Sequence, residues 1–344
     1  MSDMTYTRLG NSGLVVSRMA LGTMTFNLGA DFIPGVANVG QDEATRMVQT
    51  ALDHGVNFFD SADGYSDGQA EIALGTALAG KRQDAVICTK VGFRKGDAIT
   101  DAGLSRRHLM TSVDGCLERL ETDYIDLLVV HKTDVFTPLE ETLQALDDLV
   151  RSGKVRYVGC SNWPAWEVAR AVEFQRANGM AQYVAGQYLY NAAARDIEVD
   201  VLRMTEQFGL SLMAWSPLAG GLLTGKYDLD RLEDGDGRMA SGDFLQIPRP
   251  QAEAVLSALE NAARSHDLTI AQTALAWIVN KRRNHTVLVG ASSTEQLEKS
   301  LKAGSITLNS DEMSAIDAAA PPPRRYPEWF ADMMLDDMHK DALT

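Results

Sequence analysis

Asn57-Phe58-Phe59-Asp60-Ser61-Ala62-Asp63-Gly64-Tyr65 changes character within nine residues. Val56 to Phe59 is a short apolar run of the kind a buried β-strand shows. At Asp60 the chain turns polar and offers Ser61, Asp63, Gly64 and Tyr65 as a loop. Helical spacing from about Gln69 to Leu78 completes a strand, loop, helix unit, and the same unit recurs on both sides. Upstream, Met19 to Met24 is apolar and ends around Gly22 and Thr23. From Asp42 apolar residues return at helical spacing through Met47, Val48, Ala51 and Leu52, stopped by Gly55. Downstream, strands are predicted at Ala85–Lys90, Ile125–Val130, Val155–Cys160, Tyr183–Gln187, Leu210–Trp215 and Thr286–Val289. A helix is predicted over Ser105–Leu120 and others in the remaining gaps. Strand and helix alternating at this spacing indicate an α/β protein with a parallel sheet. About eight units without a composition break favour a closed (β/α)8 TIM barrel in one domain, residues 1–344, over an open sheet.

Outside the repeat, Tyr6 to Ser17 reads as a β-hairpin around Asn11-Ser12-Gly13. Three segments are long for simple connections: 27–40, an Asp-, Gly- and Arg-rich insertion at 227–250, and a Pro-rich tail at 321–344. They are expected to lie over the barrel mouth, the tail over the active site.

The net charge of −15 on 344 residues makes a nucleic-acid partner a poor fit, because a phosphate backbone needs clustered Lys and Arg. Cys88, Cys116 and Cys160 are far apart in apolar surroundings and read as reduced core residues, not as a disulfide framework or metal site. The first residues lack the basic start and apolar run of a signal peptide. No stretch has the roughly 18 to 20 apolar residues of a membrane helix. A cytoplasmic protein without a membrane partner is therefore expected.

In a parallel barrel the loops after the strands open at one end, and that end carries the chemistry. The strand ending near Phe59 delivers Asp60 and Tyr65, the next delivers Lys90, and the one after delivers His131. Each has an ordinary structural reading when taken alone. Four strong polar groups at successive strand ends are harder to dismiss, because burial without partners would cost several kcal/mol. A phenol titrates near about pH 10, too high for easy proton transfer unless a cation favours the phenolate. Lys90 can be that cation, Asp60 can hold Lys90, and His131 can donate a hydrogen bond to a substrate oxygen. The set contains no activated nucleophile and no spacing of metal ligands. It suits moving a proton on or off a carbonyl or alcohol oxygen, with a redox cofactor to carry the accompanying hydride.

From Leu9 to about Leu301 the sequence resembles the aldo-keto reductases, a family of barrel-shaped, nicotinamide-dependent carbonyl reductases. The resemblance rests on Gly55-Val56-Asn57-Phe58-Phe59-Asp60 with Tyr65, Gly68 and Glu71. It extends through Thr89-Lys90, Val130-His131-Lys132-Thr133-Asp134, Gly159-Cys160-Ser161-Asn162 and the run from Ala214 to Tyr227. It implies that Asp60, Tyr65, Lys90 and His131 are the catalytic tetrad. It also implies that Ser161, Asn162 and Gln187 hold the nicotinamide carboxamide, and that Trp215 stacks on the ring. Ser216, Pro217, Leu218 and Gly220 belong to a loop whose amides approach the pyrophosphate. Lys226 and Arg238 resemble positions that reach an adenosine 2′-phosphate, and Gly290, Ser292, Ser293 and Gln296 those around the adenosine half.

The sequence departs from the family pattern there. Ser292, Ser293 and Gln296 are neutral where many relatives carry Arg or Lys, and Lys299-Ser300 replaces a Glu-Asn pair. NADP is expected by resemblance, with NAD as the alternative. Met24, Phe26 and Trp163 are candidates for the substrate pocket, which an apolar rim would suit to an aldehyde, ketone or alcohol. Some barrels of this family serve as potassium-channel β-subunits, a second reading for the same motifs. An open dinucleotide-binding sheet is a poorer one, since no Gly-x-Gly-x-x-Gly follows a first strand.

Overall fold

The computed structural model describes residues 4–32, 36–227, 245–334 and 336–343. Its centre is a closed barrel of eight parallel strands, β3 (Met19–Gly22), β4 (Phe58–Asp60), β5 (Val86–Val91), β6 (Ile125–Val130), β7 (Val155–Ser161), β8 (Tyr183–Leu189), β9 (Ser211–Trp215) and β10 (His285–Gly290). Each strand pairs with the next in chain order, and β10 closes on β3 with Val287 opposite Met19. The outer ring is α1 (Gln41–Asp53), α2 (Gln69–Ala77), α3 (Arg106–Arg119), α4 (Leu139–Arg151), α5 (Ala165–Ala177), α6 (Val201–Phe208), α8 (Ile270–Lys281) and α9 (Thr294–Leu301). An additional helix, α7 (Arg249–His266), follows β9, and α10 (Ser310–Ala319), α11 (Glu328–Met333) and α12 (Asp337–Leu343) end the chain. The predicted (β/α)8 architecture is therefore what forms.

Two apolar layers hold it. Phe58, Cys88, Leu127, Val129, Ala185, Met213 and Leu288 fill the barrel, while the larger cluster lies between strands and helices. The pleat sends alternate residues to the two sides: on β6, Leu127 and Val129 join the inner cluster and Leu128 and Val130 the outer one.

The predicted hairpin is present as β1 (Tyr6–Arg8) paired antiparallel with β2 (Val15–Ser17). Its Leu9 and Val16 are buried in the inner cluster. Hydrogen bonds from Gly10 N–H to Ser211 Oγ (2.7 Å) and from Ser17 N–H to Asn57 Oδ1 (2.7 Å) tie it to strand starts. The hairpin thus plugs the end opposite the βα loops and leaves the other end for chemistry.

Of the long segments, 27–40 leaves the mouth end of β3. It is drawn toward α2 by Leu28 and Ala30, whose N–H groups donate to Gln69 Oε1. Most of the 227–250 insertion, with Arg238, lies outside the described residues. Ion pairs of Glu328 with Arg203 and of Arg325 with Asp196 tie the tail to the first turn of α6 and the turn before it. Among the described residues no helix is long and apolar enough to cross a membrane. The three cysteines are buried and free.

Candidate active site

The pleat that fills the barrel also builds the site. Moving two residues toward the mouth from Phe58, Cys88, Val129, Ala185 and Met213 on the inner side reaches Asp60, Lys90, His131, Gln187 and Trp215. The same step from Gly159 reaches Ser161. The polar candidates are thus one inward layer lying on an apolar one, with Asp60, Lys90, Ser161 and Gln187 buried and His131 and Trp215 partly exposed.

Lys90 is its hub. The fully buried ammonium donates to Asp60 Oδ2 (2.7 Å), the Ser61 carbonyl (2.6 Å) and Tyr65 Oη (3.0 Å), which uses all three of its protons. Asp60 receives a further hydrogen bond at Oδ1 from Gln187 Nε2 (2.8 Å). Both carboxylate oxygens are therefore paired, the condition under which a buried ion pair persists. Burial alone would lower the Lys90 pKa, but Asp60, Tyr65 and Cys88 outweigh it and raise it, so the lysine stays charged. Since Lys90 donates to the Tyr65 oxygen, the phenolic proton is free to point elsewhere. Burial raises the phenol's pKa, and the opposing pull of Lys90 offsets this only in part. Tyr65 is accordingly a protonated acid at neutral pH, with a cation in place for the phenolate that proton loss would leave.

Left-handed backbone follows the tyrosine at Ser66 (φ 47°) and Asp67 (φ 54°), a conformation costing about 1–2 kcal/mol per non-glycine residue. Contacts hold it there. Ser66 Oγ donates to the Phe26 carbonyl (2.8 Å), Lys95 pairs with Asp67 (2.7 Å), and Gly68 packs where a Cβ would come within 2.7 Å of Arg119.

His131 completes the group, its ring centroid 6.0 Å from that of Tyr65 and 4.5 Å from that of Phe93. Burial first, and the Lys90 charge second, push its pKa down to about 2, so it is a neutral imidazole at working pH. Its Nδ1 is buried without a hydrogen-bond partner.

The predicted nicotinamide residues adjoin this centre. Ser161 Oγ donates to the Gln187 carbonyl (2.9 Å), and Asn162 Nδ2 donates to Ser161 Oγ (2.9 Å) and the His131 carbonyl (3.2 Å). Trp215, partly exposed at the end of β9, donates from Nε1 to Asn162 Oδ1 (3.1 Å). After it, Ser216 (φ 51°), Ala219 (φ 50°), Gly220 (φ 67°) and Gly221 (φ 100°) curl the backbone left-handed, and Ser216 Oγ accepts from Gly220 N–H (3.2 Å). Pro217 is buried within this turn, Leu218 is half-buried, and Lys226 is exposed with its ammonium over the Tyr227 ring. A flat aromatic platform beside a turn of small residues fits a nicotinamide dinucleotide. On the next strand end, Gly290 has open space where a Cβ would stand. Ser292 donates through N–H and Oγ to Gln296 Oε1 (both 2.9 Å), and Ser293 caps α9. Two other charges in this region are committed: Lys299 pairs with Glu295, and Glu43 accepts from Thr294 N–H (2.6 Å) at the first turn of α9.

The three substrate-pocket candidates differ in exposure. Met24 is half-buried at the mouth, but Phe26 is fully buried in the outer core and Trp163 almost so. Neither ring offers an open surface. Among the described residues, the exposed apolar side chains in loops that leave the mouth end include Leu28 after β3, Phe93 and Ile99 after β5, Val135 and Phe136 after β6, and Trp166 at the start of α5.

The sequence profile of the Aldo/keto reductase family matches residues 18–321, which spans the whole barrel. The chain belongs to the aldo/keto reductase family. Among its relatives is a probable voltage-gated potassium channel subunit beta of Arabidopsis thaliana, 35% identical over 309 residues, a match covering 87% of this chain and 91% of the relative. The corresponding protein of Oryza sativa subsp. japonica is 34% identical over the same shares. Versiconal hemiacetal acetate reductase of Aspergillus parasiticus is 31% identical, covering 94% of this chain and 99% of the relative. This aldo/keto reductase is thus similar along nearly its full length both to a named reductase and to proteins named for a channel.

Proposed function

We propose that this protein interconverts a carbonyl compound and an alcohol in the cytoplasm, using NADP in preference to NAD, with Tyr65 as the acid and base. The observation that carries the reading is the commitment of all three Lys90 protons, one of them to the Tyr65 oxygen. When bound, the nicotinamide supplies or accepts the hydride. In reduction Tyr65 gives its proton to the carbonyl oxygen, and Lys90, anchored by Asp60, stabilises the phenolate. Neutral His131 donates a hydrogen bond to the same oxygen and orients it. In the reverse direction the phenolate removes the alcohol proton, and the ratio of reduced to oxidised cofactor sets the direction.

Ser161, Asn162 and Gln187 would hold the carboxamide, Trp215 would lie against the ring, and the turn from Ser216 to Gly220 would take the pyrophosphate. Gly290, Ser292, Ser293 and Gln296 border the adenosine. Lys226 and, in the part of the chain outside the described residues, Arg238 would supply the charge that favours NADP. The exposed Phe93, Val135, Phe136 and Trp166 favour a neutral, bulky apolar substrate.

Titration with NADPH and NADH, read by Trp215 fluorescence, tests the cofactor, and oxidation of NADPH by a panel of aldehydes and ketones tests the reaction. Tyr65→Phe should lower turnover by about 10²- to 10⁴-fold and leave NADPH affinity unchanged. Near-normal turnover in that variant would remove Tyr65 from its role. A second reading is motivated by the two relatives named as channel β-subunits: a binding subunit with residual reductase activity. Tetramers in light scattering together with very slow turnover across the panel would favour it.

A further inference from the structure

Asp63 lies between Asp60 and Tyr65 and takes part in none of the steps above. It is fully buried, and neither carboxyl oxygen has a hydrogen-bond partner. Its main chain, by contrast, is tied into the site. Its N–H donates to the Lys90 carbonyl (3.0 Å), and its own carbonyl accepts from Lys95 Nζ (2.9 Å), the ammonium that also pairs with Asp67 two residues beyond the tyrosine.

Behind Asp63 is a second buried acid, Glu71 of α2. Arg119 Nε donates to Glu71 Oε2 (2.7 Å), and the hydroxyl of Thr89, next to Lys90, donates to Oε1. The charged and titratable groups acting on Asp63 therefore come from three directions: Glu71 from α2, Arg119 and Cys116 from α3, and Lys95 from the loop after β5. Burial raises the Asp63 pKa most, Glu71 raises it further, and Lys95, Arg119 and a weak pull from the Gly64 amide return only part, leaving it at about 7. A carboxylate without partners in such a place is costly, and the protonated acid is the form the surroundings accept.

We propose that Asp63 is a positioning residue for Tyr65 and Lys90, a buried carboxyl that is protonated in the competent site and whose ionisation against Glu71 loosens the turn holding the phenol. This rests on the reading of Tyr65 as the acid. The route is mechanical. Repulsion within the Asp63–Glu71 pair pushes on a segment whose amide and carbonyl are bonded to Lys90 and Lys95, and the Lys90–Tyr65 hydrogen bond lengthens.

The first test needs no variant. Infrared difference spectra of the protein titrated across about pH 5 to 9 should show a buried carboxylic-acid band that disappears around neutrality. The band should be missing in Asp63→Asn, with the mass of that variant confirmed because Asn before Gly64 can deamidate. Absence of the band in the wild-type protein overturns the proposal whether or not a carbonyl substrate has been found, which separates its failure from failure of the catalytic reading. The second test is kcat against pH with saturating NADPH. Wild-type kcat should fall roughly tenfold over the two pH units above neutrality, while Asp63→Asn stays flat and Asp63→Ala is low throughout, all three binding NADPH alike. An equal alkaline decline in wild type and Asp63→Asn overturns it.

Discussion

At the scale of single residues, the site depends on charge kept where water cannot reach it. Lys90 is fully buried and Asp60 almost so, each the main counter-charge of the other. Lys90→Met would leave the Asp60 carboxylate with only the Gln187 amide, a loss expected to cost about 3–5 kcal/mol. Urea unfolding measures this, and pairing Lys90→Met with Asp60→Asn should restore part of it, since the stranded charge is then gone. Histidine sets the acid side of stability. Burial first, then Arg282, Arg18 and Lys281, lower the His285 pKa to about 3, and His131 lies lower still. Each is neutral in the fold and protonates more readily when unfolded. Their contribution is therefore present above the ordinary histidine pKa of about 6.5 and is lost as pH falls below it, by about 1.4 kcal/mol per pH unit for each group. His285→Gln, away from the tetrad, should make the decline between about pH 6 and 4 visibly shallower in urea titrations. An unchanged slope would show that His285 already protonates within the fold.

At the scale of elements, the strands were readable because each is a short apolar run ending in a polar loop, and Ile125–Val130 occurs at its predicted bounds. The positions of Asp60, Lys90 and His131 were legible for the same reason. Asp60 is the last residue of β4, Lys90 the last but one of β5, and His131 follows β6 directly, so each is polar at the end of an apolar run and the pleat leaves it little choice but the inner side. Phe26 and Phe93 show where this stops. Both are aromatic residues in loops after strands, yet Phe26 folds back into the core while Phe93 stays partly exposed against His131. Only the path of the loop decides between them, and that path depends on contacts distant in sequence, such as Ser66 Oγ on the Phe26 carbonyl. Asp63 was obscure for a related reason, because a loop carboxylate ordinarily points to water. Packing of elements yields a prediction that helix propensity alone would get backwards. Gly75 is inside α2, where alanine is normally better by about 1 kcal/mol. A Cβ there would stand 2.6 Å from the Leu120 carbonyl just beyond α3. Gly75→Ala should therefore destabilise the protein by about 1–3 kcal/mol, read as a lower urea midpoint at unchanged slope.

At the scale of the whole molecule, a barrel closed below by its hairpin leaves one end open for chemistry, and the chain as a whole carries a net charge of −15. Apolar side chains rim the mouth while the summed negative potential extends beyond it, so neutral and anionic substrates should approach at different rates. Long-range repulsion acts on association and is screened over about 10 Å at 0.1 M salt. For an aromatic aldehyde bearing a carboxylate, kcat/KM should therefore rise several-fold between about 10 and 200 mM sodium chloride. The uncharged parent aldehyde, using the same proton donor, should change little over that range, and kcat for both should stay constant because the tetrad is buried from the added ions. Measuring the two aldehydes side by side in one buffer series separates this from a general salt effect on cofactor binding, which would move both together. If the charged and uncharged compounds respond alike, the acidic surface has no part in selecting substrates, and selection falls to contacts made inside the mouth.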